Sequence, residues 1–280
     1  MRGLAKAAAR LAVSLALVGA CVAWVSTADT PAPGSDARSI MERSNLAYYY
    51  AGHDMRAKMT LELGSAQEAK RLRIMTVLRL NQTVGGDQRY FLYFHQPGDA
   101  RRMSCMTWKH VGAADDRWMY VPLSGHVVRV RAAERSSFLG SEFMREEFSG
   151  RDVDADEHRF VHGEKLGDRD CYVIESLPKQ SEEFARCTSW IDRATYLPLR
   201  QEFWNARGER TRVFAAGRIE EIASRVNSTR TYPTAMERTM ANASGRWSKI
   251  TLDSVYYDVG LQDGDFSQRH LRTPISEWLP

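Results

Sequence analysis

Period-two alternation of apolar and polar residues runs through most of this chain and commits it to β-sheet. Ala57, Met59, Leu61 and Leu63 alternate with Lys58, Thr60 and Glu62. Leu72, Ile74, Thr76, Leu78 and Leu80 repeat the pattern, with Arg71, Arg73 and Arg79 on the opposite side. Successive side chains of a strand point to opposite faces, so this spacing marks half-buried strands. Further strands are expected at 90–95, 102–109, 117–121, 127–130, 159–166, 171–177, 187–192, 199–204, 212–222, 228–240 and 248–257. Turn residues such as Gly85-Gly86-Asp87, Ser124-Gly125 and Gly167-Asp168 separate them. About a dozen short strands at near-regular spacing predict one large antiparallel sheet. One helix is expected before them, from Asp36 to about Tyr50, capped by Ser35 or Asp36 and stopped at Gly52.

Several strands are apolar on both faces. Tyr90, Leu92 and Phe94 point one way while Phe91 and Tyr93 point the other; Trp118 and Tyr120 oppose Met119 and Val121. A sheet with one wet face does not have this pattern. One face covers an interior, and the other meets a helix, a loop or a ligand. Two architectures satisfy that: a barrel-like sheet around an apolar cavity, and a sheet covered by its own helices.

The ends and totals narrow the class. Arg2, Lys6 and Arg10 precede an apolar run from Leu11 to Val25, and small residues at Ser26 and Ala28 follow. This reads as an export signal over residues 1–28, too short for a spanning helix of about 20 residues. Val18-Gly19-Ala20-Cys21 also resembles a lipobox, so a membrane-anchored form lipidated at Cys21 stands as the alternative to cleavage near Ala28. Residues 29–35 read as a spacer and 36–280 as a single domain. The formal charge of +4 is mild, with Arg and acids interspersed, so no nucleic-acid partner is expected. Cys171 and Cys187 flank a hairpin expected to turn near Pro178-Lys179. That register would set them opposite each other, and either a disulfide or two buried thiols would result.

Catalytic signatures are missing: the sequence has no G-x-S-x-G, H-E-x-x-H, C-x-x-C or P-loop. The run Asp152-Val153-Asp154-Ala155-Asp156-Glu157-His158 places acids at the first three positions of a calcium loop. It then has Glu157 where the sharp turn needs Gly, and Gly163 where the bidentate Glu belongs. It reads as a solvated acidic loop, and no metal, cofactor or enzymatic activity is expected.

One stretch is more specific than these. Asp116, Trp118, Tyr120 and Pro122 form a D-x-W-x-Y-x-P strand, Arg129 and Arg131 follow on a basic strand, and Ser137, Phe138, Gly140, Ser141, Glu142 and Phe143 complete S-F-x-G-S-E-F. Tyr93-Phe94-His95-Gln96-Pro97 and Trp190-Ile191-Asp192 with Tyr196-Leu197-Pro198-Leu199 add two more landmarks in order. Together they resemble the outer-membrane lipoprotein-sorting protein family, a LolA/LolB-like group. After Phe143 the chain departs from the family pattern, with Met144, Arg145, Glu146 and Glu147. The resemblance implies a mainly β fold, an open antiparallel β-barrel with a few helices covering an apolar cavity that takes acyl chains. It implies a periplasmic lipid or lipoprotein carrier working with an inner-membrane exporter of the resistance-nodulation-division type. The alternative is an adaptor for such an exporter with no cargo of its own.

On that footing Phe91, Tyr93, Trp118, Tyr120, Phe138 and Phe143 are expected to line one apolar pocket. Arg129 and Arg131 are expected at its rim, against an anionic headgroup or a partner. The plain alternatives are core packing for the aromatics and a solvated strand face for the arginines.

Overall fold

The computed structural model of the chain describes residues 36–98, 100–130, 137–180 and 184–279. The expected signal, Cys21 and the spacer lie outside the described residues, as does Arg131. Helix α1 (Ala37–Tyr49) comes first. Then follow β1 (Asp54–Gly64), β2 (Arg71–Asn81), β3 (Gln88–Gln96), β4 (Ser104–Lys109), β5 (Asp116–Val121) and β6 (His126–Arg129). A short helix α2 (Arg145–Ser149) leads into β7 (Asp156–Leu166), β8 (Arg169–Pro178), β9 (Arg186–Asp192), β10 (Pro198–Trp204) and β11 (Arg210–Ala216). The last strands are β12 (Ile219–Ala223), β13 (Thr231–Ala235), β14 (Glu237–Asn242) and β15 (Trp247–Tyr257), before α3 (Gln268–Arg272).

Thirteen strands form one antiparallel sheet in the order β6-β5-β4-β3-β2-β1-β15-β14-β11-β10-β9-β8-β7, which does not close. The fold is therefore mainly β with an open antiparallel sheet, as the alternation predicts. Two expected strands each split in two. The run 212–222 breaks at Gly217, and 228–240 breaks at Met236, so that β12 and β13 leave to pair with each other as a separate ribbon. Pro233 lies in β13, where a two-stranded ribbon tolerates its missing donor better than a sheet centre would.

The sheet curls around one cluster. Met59, Leu61, Met75, Val77, Leu92 and Phe94 from one half share it with Phe203, Phe214, Met240 and Ile250 from the other. Helix α1 packs on the same side. Asp36 caps it by accepting from the Ser39 N–H at 2.6 Å, and Ile40 buries against Ile174 and Ile191. Its C-terminal carbonyls, which have no partner within the helix, meet buried side chains. Arg79 Nη1 donates to Tyr49 O at 2.7 Å and Gln88 Nε2 to the same oxygen at 3.0 Å. Asn81 Nδ2 donates to Tyr50 O at 3.1 Å and to Gly52 O at 2.7 Å.

The opposite face of β2 to β6 is covered by the C-terminal segment after Tyr257. Leu261, Phe266 and Leu271, each at most 1% exposed, pack on Leu78, Leu80, Phe91 and Met106, with Trp108, Trp118, Tyr120 and Val127 around them. Asp54 starts that segment by accepting from the backbone N–H groups of Val259, Gly260 and Leu261 at 2.7, 3.0 and 3.2 Å. The double apolarity of these strands thus has two causes, a curled interior and a C-terminal cover.

The thiols are free and do not face each other. In the β8–β9 pair Cys171 lies opposite Asp192 and Cys187 opposite Ser176. The two positions are five residues apart along the pair, about 17 Å at 3.4 Å per residue, against a disulfide limit near 7 Å. They also lie on opposite faces, because their spacing along the pair is odd. The turn is centred beyond Pro178-Lys179, and that displacement is what separates them.

Candidate functional site

Between the sheet and residues 137–150 lies a cavity of about 220 Å³. Tyr90 and Leu92 of β3, Cys105 and Thr107 of β4 and Arg117 and Met119 of β5 supply one wall; paired across the sheet, they share a face. Phe138, Leu139, Arg145 and Phe148 supply the other. The Phe138 and Phe148 rings stack with centroids 4.0 Å apart and planes at 9°.

Residues 137–150 form a strap whose turn is fixed by its own hydrogen bonds. Phe138 N–H donates to Phe143 O at 2.7 Å and Ser141 Oγ to Phe138 O at 2.6 Å; the left-handed backbone of Leu139 and Gly140 (φ 53° and 73°) makes the reversal. Glu142 ties the strap across the sheet. Its carboxylate accepts from Asn242 Nδ2 at 2.7 Å and Arg246 Nε at 3.0 Å, and its N–H donates to Ser248 Oγ at 2.9 Å. Glu147 pairs with buried Arg212 at 2.8 Å, and Glu146 with Arg151 at 2.8 Å. The acids after Phe143, where the sequence departs from the lipoprotein-sorting pattern, are thus ties of the strap.

A larger, polar groove of about 830 Å³ adjoins the cavity; Asp115, Arg117 and Ser149 line both. Leu46, Tyr50, Val84, Lys109, Val111, Arg151 and Asp152 also line the groove. Lys109 is 7% exposed, and its ammonium donates to Ser149 O at 2.8 Å, Gln88 Oε1 at 3.4 Å and the Tyr50 hydroxyl at 3.5 Å. Burial pushes it down to about 8 from the ordinary lysine value. Gly150 crosses directly over it: a Cβ there would lie 3.0 Å from Lys109 Nζ and 3.1 Å from the Tyr49 ring, so only glycine, here at φ 97°, fits. Arg145, on the cavity side, has its pKa lowered by burial and by the nearby Arg117 charge.

The residues expected from sequence divide between two places. Phe138 lines the cavity, and Phe143 lies in the same interior cluster, edge-on to Phe214 with centroids 6.4 Å apart. Phe91, Tyr93, Trp118 and Tyr120 do share a face, through the pairings Phe91–Met106–Trp118 and Tyr93–Ser104–Tyr120, but it is the face beneath the C-terminal segment. Trp118 borders the cavity as well, while its indole packs edge-on to Trp108 at 5.0 Å. Arg129 is exposed on that outer face and pairs with Asp116. Alternation identifies which residues share a face and leaves open which face is inside: of the six, Phe138 and Trp118 line the cavity, Phe143 joins the interior cluster, and Phe91, Tyr93 and Tyr120 lie beneath the C-terminal segment. Tyr90, Leu92, Cys105, Lys109, Arg117, Arg145 and Phe148 escaped the sequence reading; the signal for the first three was the complementary register of the same strands.

Among the described residues no three His, Cys, Asp or Glu gather to hold a metal ion. The acidic run is spent locally: Asp152 caps the turn Val153–Ala155, Asp154 pairs with Arg38 at 2.8 Å and Asp156 with Arg151 at 2.7 Å. No helix among the described residues is long and apolar enough to cross a membrane.

A family model described as uncharacterized protein-like matches residues 86–273. No curated protein matches the sequence. Among solved structures, a domain named for outer-membrane lipoprotein sorting from Vibrio parahaemolyticus superposes with a TM-score of 0.72 at 24% identity, covering 84% of this chain and 98% of that one. A DUF1329 family protein from Desulfovibrio piger gives 0.72 at 20% identity, over 85% and 100% of the two chains. A LolA superfamily protein from Nitrosomonas europaea gives 0.60 at 17%, over 84% and 99%.

Proposed function

The chain belongs to the uncharacterized protein-like family that residues 86–273 match, and it has the fold of the lipoprotein-sorting and LolA-superfamily structures; on that premise we propose that it is an exported, non-catalytic carrier of an acyl chain. The observation that carries the reading is the apolar cavity between sheet and strap, which shares Asp115, Arg117 and Ser149 with the larger groove beside it. Hydrocarbon needs no catalytic group to be held. Each buried CH₂ contributes about 0.8 kcal/mol, so ten methylenes supply about 8 kcal/mol, the free energy of a micromolar complex.

The cavity of about 220 Å³ is smaller than the roughly 300–1,000 Å³ of ordinary ligand sites. Entry of a long chain therefore requires the Phe138–Phe148 stack to move aside. The cargo is a lipid or the acyl chain of a lipoprotein, and the setting is the periplasm. Donor or acceptor is an inner-membrane exporter of the resistance-nodulation-division type, a partner suggested by the family resemblance.

A fluorescent fatty-acyl probe tests the reading. The parent is expected to bind it at micromolar concentration, and Cys105→Phe, which fills the cavity, to bind at least tenfold more weakly. Overpacking a core in this way costs about 1–3 kcal/mol, so circular dichroism must show the variant folded. A folded Cys105→Phe that binds like the parent would remove the cavity from the account.

A further inference from the structure

The groove beside the cavity carries charge that a carrier of bare hydrocarbon does not need. Among the described residues four basic side chains are more than nine-tenths buried, Arg79, Lys109, Arg117 and Arg212, and of these Lys109 and Arg117 line the groove. Arg117 pairs with Asp115 at 2.9 Å and Arg212 with Glu147 at 2.8 Å. Arg79 and Lys109 instead meet neutral oxygens. Arg79 donates to the carbonyls of Tyr49 and Ala51. Two of the three hydrogen bonds of Lys109 are long, at 3.4 and 3.5 Å, and no carboxylate among the described residues lies within 4.0 Å of either cation. Asp115, Asp152 and Asp87 act on Lys109 only from farther away. A buried cation without a counterion carries a large desolvation penalty. An anion entering the groove would meet Lys109 at its wall and Arg117 where groove and cavity join, beside the lining carboxylates Asp115, Asp152 and Asp154.

The rim is mixed: Leu46, Val84 and Val111, 37%, 82% and 44% exposed at the end of α1 and at the tips of the β2–β3 and β4–β5 turns, line the groove beside exposed Arg38, Glu42, Asp152, Asp154 and Lys179. Apolar side chains at part of the rim, Lys109 without a counterion at the wall and an adjoining apolar cavity complement a molecule with a charged head and a hydrocarbon tail better than they complement a free ion.

We propose that the groove holds the anionic head, a phosphate or carboxylate, of an amphiphile whose chain occupies the cavity, with Lys109 as the headgroup contact. This rests on the carrier reading above and adds to it the chemical class of the cargo. The test is calorimetric titration of the full chain with dodecyl phosphate, dodecyl maltoside and inorganic phosphate, the two amphiphiles below their micelle concentrations. The parent is expected to bind dodecyl phosphate at least tenfold tighter than dodecyl maltoside. Lys109→Met should lose most of that preference, read as the ratio of the two affinities in the same variant. Equal affinity of the parent for both amphiphiles overturns the headgroup site and leaves the carrier reading standing; this arm needs no variant to fold. A folded Lys109→Met with the parent's preference overturns the role of Lys109. Inorganic phosphate binding as tightly as dodecyl phosphate makes the groove a site for a free anion and overturns the amphiphile. Failure of both amphiphiles to bind is instead a failure of the carrier reading.

Discussion

Lys109 ties the sheet to the strap through Ser149 O, and it does so as a charge held where charge is disfavoured. The sign of its effect on stability follows from its depressed pKa. Between about 8 in the folded chain and the ordinary value of 10.5, the unfolded chain keeps the proton that the folded chain gives up, so stability rises as pH climbs through that window. At about 1.4 kcal/mol per unit, the parent should gain about 2 kcal/mol relative to Lys109→Met between pH 7 and pH 9.5. Urea unfolding of both proteins at the two pH values measures it; a constant gap would contradict the buried charge. A second residue-scale prediction separates the two faces of β3. Phe91→Leu should cost about 1 kcal/mol by loosening the packing beneath the C-terminal segment, and it should leave acyl-probe binding unchanged. Loss of probe binding in a folded Phe91→Leu would place Phe91 in the site after all.

At the scale of elements, the strap and the C-terminal segment are the two parts the sequence described least well. The S-F-x-G-S-E-F stretch was legible as a motif, and Phe138 was legible as a residue of the cavity side. The partners of Glu142 lie about 100 residues away in Asn242, Arg246 and Ser248, a distance that no local pattern encodes. Glu142→Ala should speed amide exchange across 137–150 and leave β1 and β15 protected; unchanged exchange in the strap would mean Glu142 does not hold it. The C-terminal cover escaped because Leu261, Phe266 and Leu271 have neither strand nor long-helix periodicity. Burying three such side chains is worth about 1.5–3 kcal/mol each, a large share of the roughly 5–15 kcal/mol that stabilises a domain. A chain ending at Tyr257 should accordingly lose its cooperative unfolding transition. The β8–β9 register makes a further test: peptide mapping without reductant should find Cys171 and Cys187 unlinked. Burial raises the thiol of Cys187 to about 12 and that of Cys105 to about 11, so neither should alkylate readily before unfolding.

At the largest scale the described residues form an open antiparallel sheet curled around one apolar cluster, covered outside by the segment after Tyr257 and inside by α1 and the strap. Sheet class, strand number to within the two splits, helix α1 and the apolar interior were legible because period-two alternation and capping chemistry are local signals. The choice of inner face, the β8–β9 register and the polar groove were not, because each is set by contacts between segments far apart in sequence. What the assembly offers is an apolar cavity of about 220 Å³ beneath the strap, next to a groove with Lys109 at its wall. Native mass spectrometry of the full-length protein, gently extracted from cell membranes, tests this account most directly. The carrier account predicts a population heavier than the bare chain by the mass of a lipid or acylated species, lost in Cys105→Phe. A parent recovered only at its bare mass, which also binds no acyl probe, would contradict it and leave the fold as an adaptor without cargo.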